Sequence, residues 1–266
     1  MLKLSYMSFS CPEASLDEFI GYAKTYDYEG VEPRAEAKHN HGVEVDASPA
    51  KRAEIKKAFQ DAGIVCACVA TSRKYAIADQ AARNESIELT KKLVDLAADV
   101  GSTRIRVFGG MPPEGMSMPD AIKTVGESLA QVGPHAVERG VSVCLETHDG
   151  FSRADDCAAA IKLADSPAVA ANWDIMHPYT KGMTIDEAHD ALKGLIRHCH
   201  IHDGNYTDGK PKLAMMGEGE IPYPRAVELL EADGFDGYLS GEWIGAWHPN
   251  EILPHDGKVL RSYMSE

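Results

Sequence analysis

The sequence predicts an α/β protein of a single domain, a (β/α)8 or TIM barrel. Three observations predict it. Strand-like and helix-like segments alternate eight times along the 266 residues, the pattern of parallel strands joined by helical crossovers. No composition shift or linker divides the chain, and eight βα units at this length make one barrel. The alternative is a doubly wound open sheet, and no Gly-x-Gly-x-x-Gly follows the first strand to support it.

The elements read as follows. Residues 2–8 form the first strand. Ser15 caps a helix to about residue 26, and Glu18 completes a capping box. Residues 28–34 are the second strand. A loop rich in His and Gly follows. Ser48 and Pro49 then start a helix that Gly63 ends. Residues 64–71, nearly all small or β-branched, are the third strand. A long helix over 80–100 stops at Gly101. The fourth strand, 103–108, runs into Gly109-Gly110 and a Pro-rich loop, and a helix over 118–139 stops at Gly140. The fifth strand is 141–147, followed by a helix over 152–164. The sixth is 169–175, and its helix over 184–193 has a second capping box, Thr184 with Glu187. The seventh strand is 196–202. A long loop, 203–222, precedes a helix over 223–232, the eighth strand over 237–243 and a weaker last helix after Pro249.

The totals exclude several function classes. A formal charge of -14 argues against nucleic acid as a partner, because phosphate binding needs clustered Lys and Arg. One basic pocket for a phosphorylated small molecule stays open. No apolar run reaches the roughly 20 residues of a membrane helix, so no membrane partner is expected. The N-terminus enters a strand without a signal-peptide core. Cys66, Cys68, Cys144 and Cys199 lie in apolar, strand-like runs and are expected to be reduced, buried thiols of a cytoplasmic protein. A homodimer is left open.

Active sites of barrels gather at the C-terminal strand ends. Here the second strand ends Glu32-Pro33-Arg34, the fourth carries Arg106, and the fifth ends Glu146-Thr147-His148. The sixth ends Asp174-Ile175-Met176-His177, the seventh His200-Ile201-His202-Asp203, and the eighth Glu242-Trp243. Side chains alternate along a strand. Glu146 and His148 therefore oppose Val143, Leu145 and Thr147; Asn172 and Asp174 oppose Trp173 and Ile175; His198, His200 and His202 oppose Cys199 and Ile201. The polar sets point inward, and Glu146, Asp174, His200 and Glu242 converge from consecutive strands. Parity alone does not choose among the three histidines. Three buried carboxylates repel unless protonated or bound to a cation. A hard, oxygen-rich donor set favours one divalent ion, Mn²⁺ first, with Mg²⁺, Co²⁺ or Zn²⁺ compatible, over a closed structural zinc. Other polar residues read as structural: His39 and His41 as surface residues of a polar loop, Asp203 as a loop anchor, Trp243 and Trp247 as packing.

Five motifs carry a resemblance: Leu145-Glu146-Thr147-His148, Asn172-Trp173-Asp174-Ile175-Met176-His177, His198-Cys199-His200-Ile201-His202-Asp203, Gly217-Glu218-Gly219-Glu220-Ile221-Pro222 and Ser240-Gly241-Glu242-Trp243. Over nearly its whole length the chain resembles the xylose-isomerase-like TIM-barrel superfamily of sugar isomerases and epimerases. The resemblance implies Glu146, Asp174, His200 and Glu242 as metal ligands, and it singles out His200. It also implies that Glu146 and Glu242 act as acid and base, as in ketose 3-epimerases, and that His177 lies near the substrate. Glu32, Arg34, Arg106, His148, His202 and Glu218 complete the candidate substrate contacts. The chain departs from the 3-epimerases at Ser152, where they carry Glu. Glu146-Thr147-His148 and Arg106-Val107-Phe108-Gly109-Gly110 look like segments of 3-dehydroshikimate dehydratases, which tend to have Lys where this chain has His202.

The expected function is thus metal-dependent isomerisation or epimerisation of a ketose, an aldose or a related polyhydroxy ketone through an enediolate. The alternative on the same scaffold is a dehydratase of the 3-dehydroshikimate or inosose type. A sugar-binding protein without catalysis and a metal-dependent endonuclease fit less well, the first because the ligand residues are intact, the second because of the acidic charge.

Overall fold

Parallel pairing runs almost all the way round a ring. The computed structural model describes residues 2–205 and 212–265. The elements in order are β1 (Lys3–Tyr6), α1 (Leu16–Thr25), β2 (Gly30–Val31), α2 (Pro49–Ala62), β3 (Val65–Cys66), β4 (Val69–Lys74), α3 (Gln80–Val100), β5 (Arg104–Phe108), α4 (Met118–Arg139) and β6 (Ser142–Glu146). There follow α5 (Ala154–Ala164), β7 (Val169–Asp174), α6 (Met176–Thr180), α7 (Ile185–Leu192), β8 (Ile196–Ile201), β9 (Asp203–Asn205), β10 (Lys212–Ala214), α8 (Tyr223–Ala232), β11 (Tyr238–Gly241) and α9 (Pro249–Tyr263).

Seven strands form one parallel sheet in the order β1-β11-β8-β7-β6-β5-β4. β2 closes the gap between its two edges. Met7 bridges Glu32 on one side, Arg34 bridges Ala70 on the other, and β2 pairs β3 in parallel. The result is the (β/α)8 ring expected from the alternation. The closing strand is short because Pro33 has no N–H to give the ladder. The third strand is interrupted as well, as β3 and then β4, and its register with β5 shifts between Ala70 and Lys74.

The helices start and stop where local chemistry dictates. Ser15 with Glu18 and Thr184 with Glu187 both form complete capping boxes. α3 and α4 end on Gly101 and Gly140 in the left-handed region. Trp173 faces outward from β7 toward His189 of α7, which confirms the inward direction of Asn172 and Asp174 on the other face.

Beside the split third strand and the short α6, three further segments differ from the sequence pattern. The helix expected from residue 152 begins at Ala154, because Asp149–Phe151 forms a 3-10 turn first. The connection 203–222 is not all loop: β9 and β10 pair antiparallel, while residues 206–211 of that stretch lie outside the described residues. The last helix is a full 15 residues. Among the described residues no helix is long and apolar enough to cross a membrane.

Candidate active site

Four consecutive strands deliver four buried donors to one point. Glu146 ends β6, Asp174 ends β7, His200 lies near the end of β8, and Glu242 directly follows β11. Register aligns them: Asp174 pairs with His200, and His200 with Ser240. One donor atom from each of Glu146, Asp174, His200 and Glu242 lies within 4.8 Å of all the others. His200 Nδ1 is 3.4 Å from Glu146 Oε1 and 3.2 Å from Glu242 Oε2. That nitrogen, both Glu146 oxygens and Asp174 Oδ2 are buried and make no well-aligned hydrogen bond, their nearest donors being the charged Arg106 and His202. Converging, desolvated acceptors whose hydrogen bonding is incomplete are what a cation satisfies.

The other side of the His200 ring explains why Nδ1 is free. His200 Nε2 lies 3.0 and 3.2 Å from the two Glu32 oxygens, and His198 Nε2 lies 2.7 Å from Glu32 Oε2. With the Nε2 proton held by Glu32, the Nδ1 lone pair is presented to the cluster. Glu32, expected as a substrate contact, is placed beneath the cluster as a partner of the two imidazoles. It has no exposed surface, and both oxygens engage imidazoles beneath the cluster. Arg106 is engaged in the same way. It is 1% exposed, its Nε is 2.9 Å from Glu146 Oε2, and its Nη1 donates to Thr71 O at 2.8 Å. It lies behind Glu146, over the Phe108 ring at 4.0 Å.

Burial pushes all these carboxyls up, yet facing cations more than reverse it. Arg106 and His200 hold Glu146 below its usual range, and His202 and His177 hold Asp174 well below. His200 and Arg106 bring Glu242 to about 2, and His200 and His198 hold Glu32 well down. Burial lowers the imidazoles, but Glu32 and Glu146 raise His200 well above its ordinary value, and Asp174 raises His202 to about 9. The cluster draws in positive charge, whether as protons on imidazoles or as a metal ion.

Three histidines line the mouth beside the cluster. His148 packs against Phe108 and, at 4.4 Å, against His177; His177 is 5.7 Å from His202. His202 Nε2 is 3.0 Å from Asp174 Oδ2, and His177 Nε2 is 3.8 Å from the same atom. Arg34 is buried at the end of the β2 segment, and its Nη2 donates to Ser72 Oγ at 2.5 Å. Glu218 stands apart on an exposed turn, with no side-chain tie to the cluster among the described residues. Asp203 holds that turn: Oδ2 accepts from Gly217 N at 2.9 Å and Gly219 N at 3.1 Å, and Oδ1 from Gly204 N at 2.8 Å and Ile221 N at 3.4 Å. A Cβ on Gly219 would lie 2.0 Å from Asp203 Oδ1, which gives the Gly217–Pro222 motif its physical reason.

His41 departs from its expected surface position. It is 2% exposed, stacks on Phe19, and accepts from Val43 N through Nδ1 at 3.0 Å. Burial lowers its pKa to about 3. His39 is half-buried, with Nδ1 2.9 Å from Ser8 Oγ. Inside the barrel, the Asn172 side chain and the hydroxyls of Ser5 and Ser240 are buried without partners. The only sequence signal for Asn172 is its shared face with Asp174, and the serines carry none.

A family model described as a xylose isomerase-like TIM barrel matches residues 20–263. The chain belongs to this family. Within it, the chain is 26% identical over 179 residues to fructoselysine 3-epimerase of Shigella flexneri, which covers 63% of this chain and 62% of that protein. The match thus spans less than two thirds of that relative. Two solved barrels share the fold. One is the probable 3-DHS dehydratase AsbF of Bacillus anthracis, with TM-score 0.80 and 18% identity, covering 98% of this chain and 99% of that one. The other is the IolI protein with a zinc atom bound, with TM-score 0.83 and 16% identity, covering 98% and 96%.

Proposed function

We propose that this member of the family is a divalent-metal-dependent isomerase or epimerase of a ketose, an aldose or a related polyhydroxy ketone, working as one catalytic domain. The observation that carries the reading is the convergence of four buried donors within 4.8 Å, several of them with no well-aligned hydrogen bond. Glu146, Asp174, His200 through Nδ1, and Glu242 would hold the ion, with Mn²⁺ first and Mg²⁺, Co²⁺ or Zn²⁺ compatible. When bound, such an ion supplies Lewis-acid polarisation of a substrate carbonyl.

The chain's own groups move the protons. Glu146 and Glu242 stand on strands separated by β7 and β8 and reach the substrate from different sides. Both are held ionised at neutral pH, so either can take a proton from the carbon beside the carbonyl. Return of a proton from the other side inverts that carbon; one carboxylate doing both steps gives 1,2-isomerisation. Arg106 pairs with the Glu146 carboxylate at 2.9 Å, whereas Glu242 has no arginine pair among the described residues and faces His200. His148, His177 and His202 line one wall, where they bind hydroxyls. The likeness to a 3-epimerase supports this reading, and the six free cysteines support a cytoplasmic setting.

A second reading is dehydration on the same site. His148 favours it: it stands at the mouth beside His177, with Nδ1 3.1 Å from Asp149 Oδ1, and its ring can hand a proton to a departing β-hydroxyl. One experiment decides among these. Metal content is measured for wild type, Glu146→Gln and His200→Ala, and each protein is run on a keto-sugar panel in D₂O. Epimerase or isomerase chemistry incorporates deuterium without mass loss; dehydration loses water and creates an ultraviolet chromophore. Wild-type metal content in both variants would overturn the site assignment.

A further inference from the structure

Two arginines are buried near the cluster, and only one has a counter-ion. Arg106 faces Glu146. Arg34 is 8% exposed, and no carboxylate pairs with it among the described residues. The acid close by in sequence, Glu36, is taken by Arg73 at 2.6 Å. Arg34 Nη1 donates to Ala35 O at 2.8 Å and to Ala70 O at 3.3 Å, and Nη2 donates to Ser72 Oγ at 2.5 Å. A guanidinium has five N–H donors in a fixed plane. Three are therefore used. The two left are Nε–H, buried and without a partner, and one hydrogen of Nη2. Nε and Nη2 form the side edge of the guanidinium, the edge that grips a planar carboxylate with two parallel hydrogen bonds.

The position suits a substrate group. Arg34 stands two residues beyond Glu32, on the same inward face and closer to the C-terminal mouth. The charges of Glu242 and Glu146 reach it. Around the ring, the β2 segment lies opposite β7, so Arg34 and His177 occupy facing walls. Phe9 shields the guanidinium at 5.8 Å, and this desolvation strengthens any ion pair made there.

We propose that Arg34 anchors a substrate carboxylate, so that the substrate is an acidic polyhydroxy ketone, a keto sugar acid, rather than a neutral sugar. This rests on the reading of the neighbouring cluster as the reaction centre. Arg34 is then a specificity residue, and its open edge is the subsite for the acid end of the molecule.

The test uses unreactive probes. Erythritol, D-erythronate and D-erythritol 4-phosphate are titrated calorimetrically into Mn²⁺-loaded wild type, R34Q and R34K, with metal content measured on each protein. Wild type is expected to bind erythronate at least about 10-fold more tightly than erythritol. R34Q loses that preference, an effect of about 10- to 100-fold for a charge-assisted pair, while its affinity for erythritol and its metal content stay unchanged. R34K, with charge but no fork, recovers only part of the preference, and it carries the test alone if R34Q does not fold. Equal binding of erythronate and erythritol by wild type, binding of neither, or equal weakening of both in R34Q overturns the proposal. A phosphate bound more tightly than erythronate through Arg34 overturns the carboxylate. An Arg34-dependent preference for erythronate in a wild type that takes up no metal keeps the subsite and sinks the reaction-centre reading instead.

Discussion

Two regions of this molecule bury carboxylates and treat them in opposite ways. At the strand ends, Glu146 and Asp174 keep buried oxygens that make no well-aligned hydrogen bond, and facing cations hold the cluster's carboxyls ionised. Beneath the β8–α8 connection, Asp203 gives both oxygens to four backbone N–H groups. Nearby, Asp256 Oδ1 accepts from Met216 N at 3.1 Å and meets His255 Nδ1 at 2.7 Å. No arginine or lysine faces Asp256 among the described residues, and burial pushes its pKa up to about 6. The difference teaches how to read a buried acid. One whose lone pairs are filled by backbone is structural. One kept charged and unfilled is reserved for a ligand.

The comparison breaks most visibly at the cluster. Glu242→Gln keeps size and shape but removes the base. Turnover is expected to fall by about 10²- to 10⁴-fold, with the unfolding midpoint near that of wild type. Steady-state kinetics beside a urea melt check this. A drop below tenfold would place Glu242 with the structural acids.

Glu32 tests the boundary between the two kinds. It is buried and fully engaged, as Asp203 is, but its partners are His198 and His200 rather than backbone. Glu32→Gln has one acceptor oxygen for two imidazoles, so His200 loses its fixed tautomer. Metal affinity is expected to fall by about 10- to 100-fold, read by competition with a chelating dye. Unchanged affinity would make Glu32 purely structural.

The two halves of the barrel were unequally legible in the sequence. From β5 through β8 to β11 the ladder is almost unbroken, so alternation along each strand sorts inward from outward side chains and finds Glu146, Asp174 and the shared inward face of His198, His200 and His202, with the choice of His200 left to the family resemblance. Between β1 and β4 it fails in part. Pro33 and the break between β3 and β4 interrupt the period, and depth replaces direction as the question. Glu32 points inward as its parity requires. Its place under the cluster depends on how β2 and β8 are staggered across the barrel, which no local pattern encodes. His41 is the same lesson in a loop: its burial is made by Phe19, 22 residues earlier in the chain, not by its polar neighbours.

The structural acids give smaller effects. Asp203→Asn replaces one acceptor by an NH₂ group that faces two backbone donors. The expected loss is about 2–6 kcal/mol of stability, at about 1–3 kcal/mol per buried group left unpaired, measured by urea unfolding. Metal content should not change. Loss of metal without loss of stability would move Asp203 into the cluster's class.

Asp256 gives the smallest effect and the opposite sign. Burial raises its pKa in the folded protein to about 6, above the ordinary value of 3.8. Its contribution to stability is therefore fully present below about pH 3.8 and is lost as pH rises through about 6. At pH 8 the wild type carries an ionised carboxylate that burial penalises by roughly 1–3 kcal/mol, at about 1.4 kcal/mol per pKa unit. Asp256→Asn removes that penalty and keeps an oxygen for Met216 N. It should stabilise the protein by about that amount at pH 8 and have almost no effect at pH 4, in paired denaturant melts. At the cluster the same kind of change costs function, because the charge there is held by cations for use. Destabilisation by Asp256→Asn at pH 8 would mean that His255 does for Asp256 what His200 does for Glu242, and the two regions would differ in position alone.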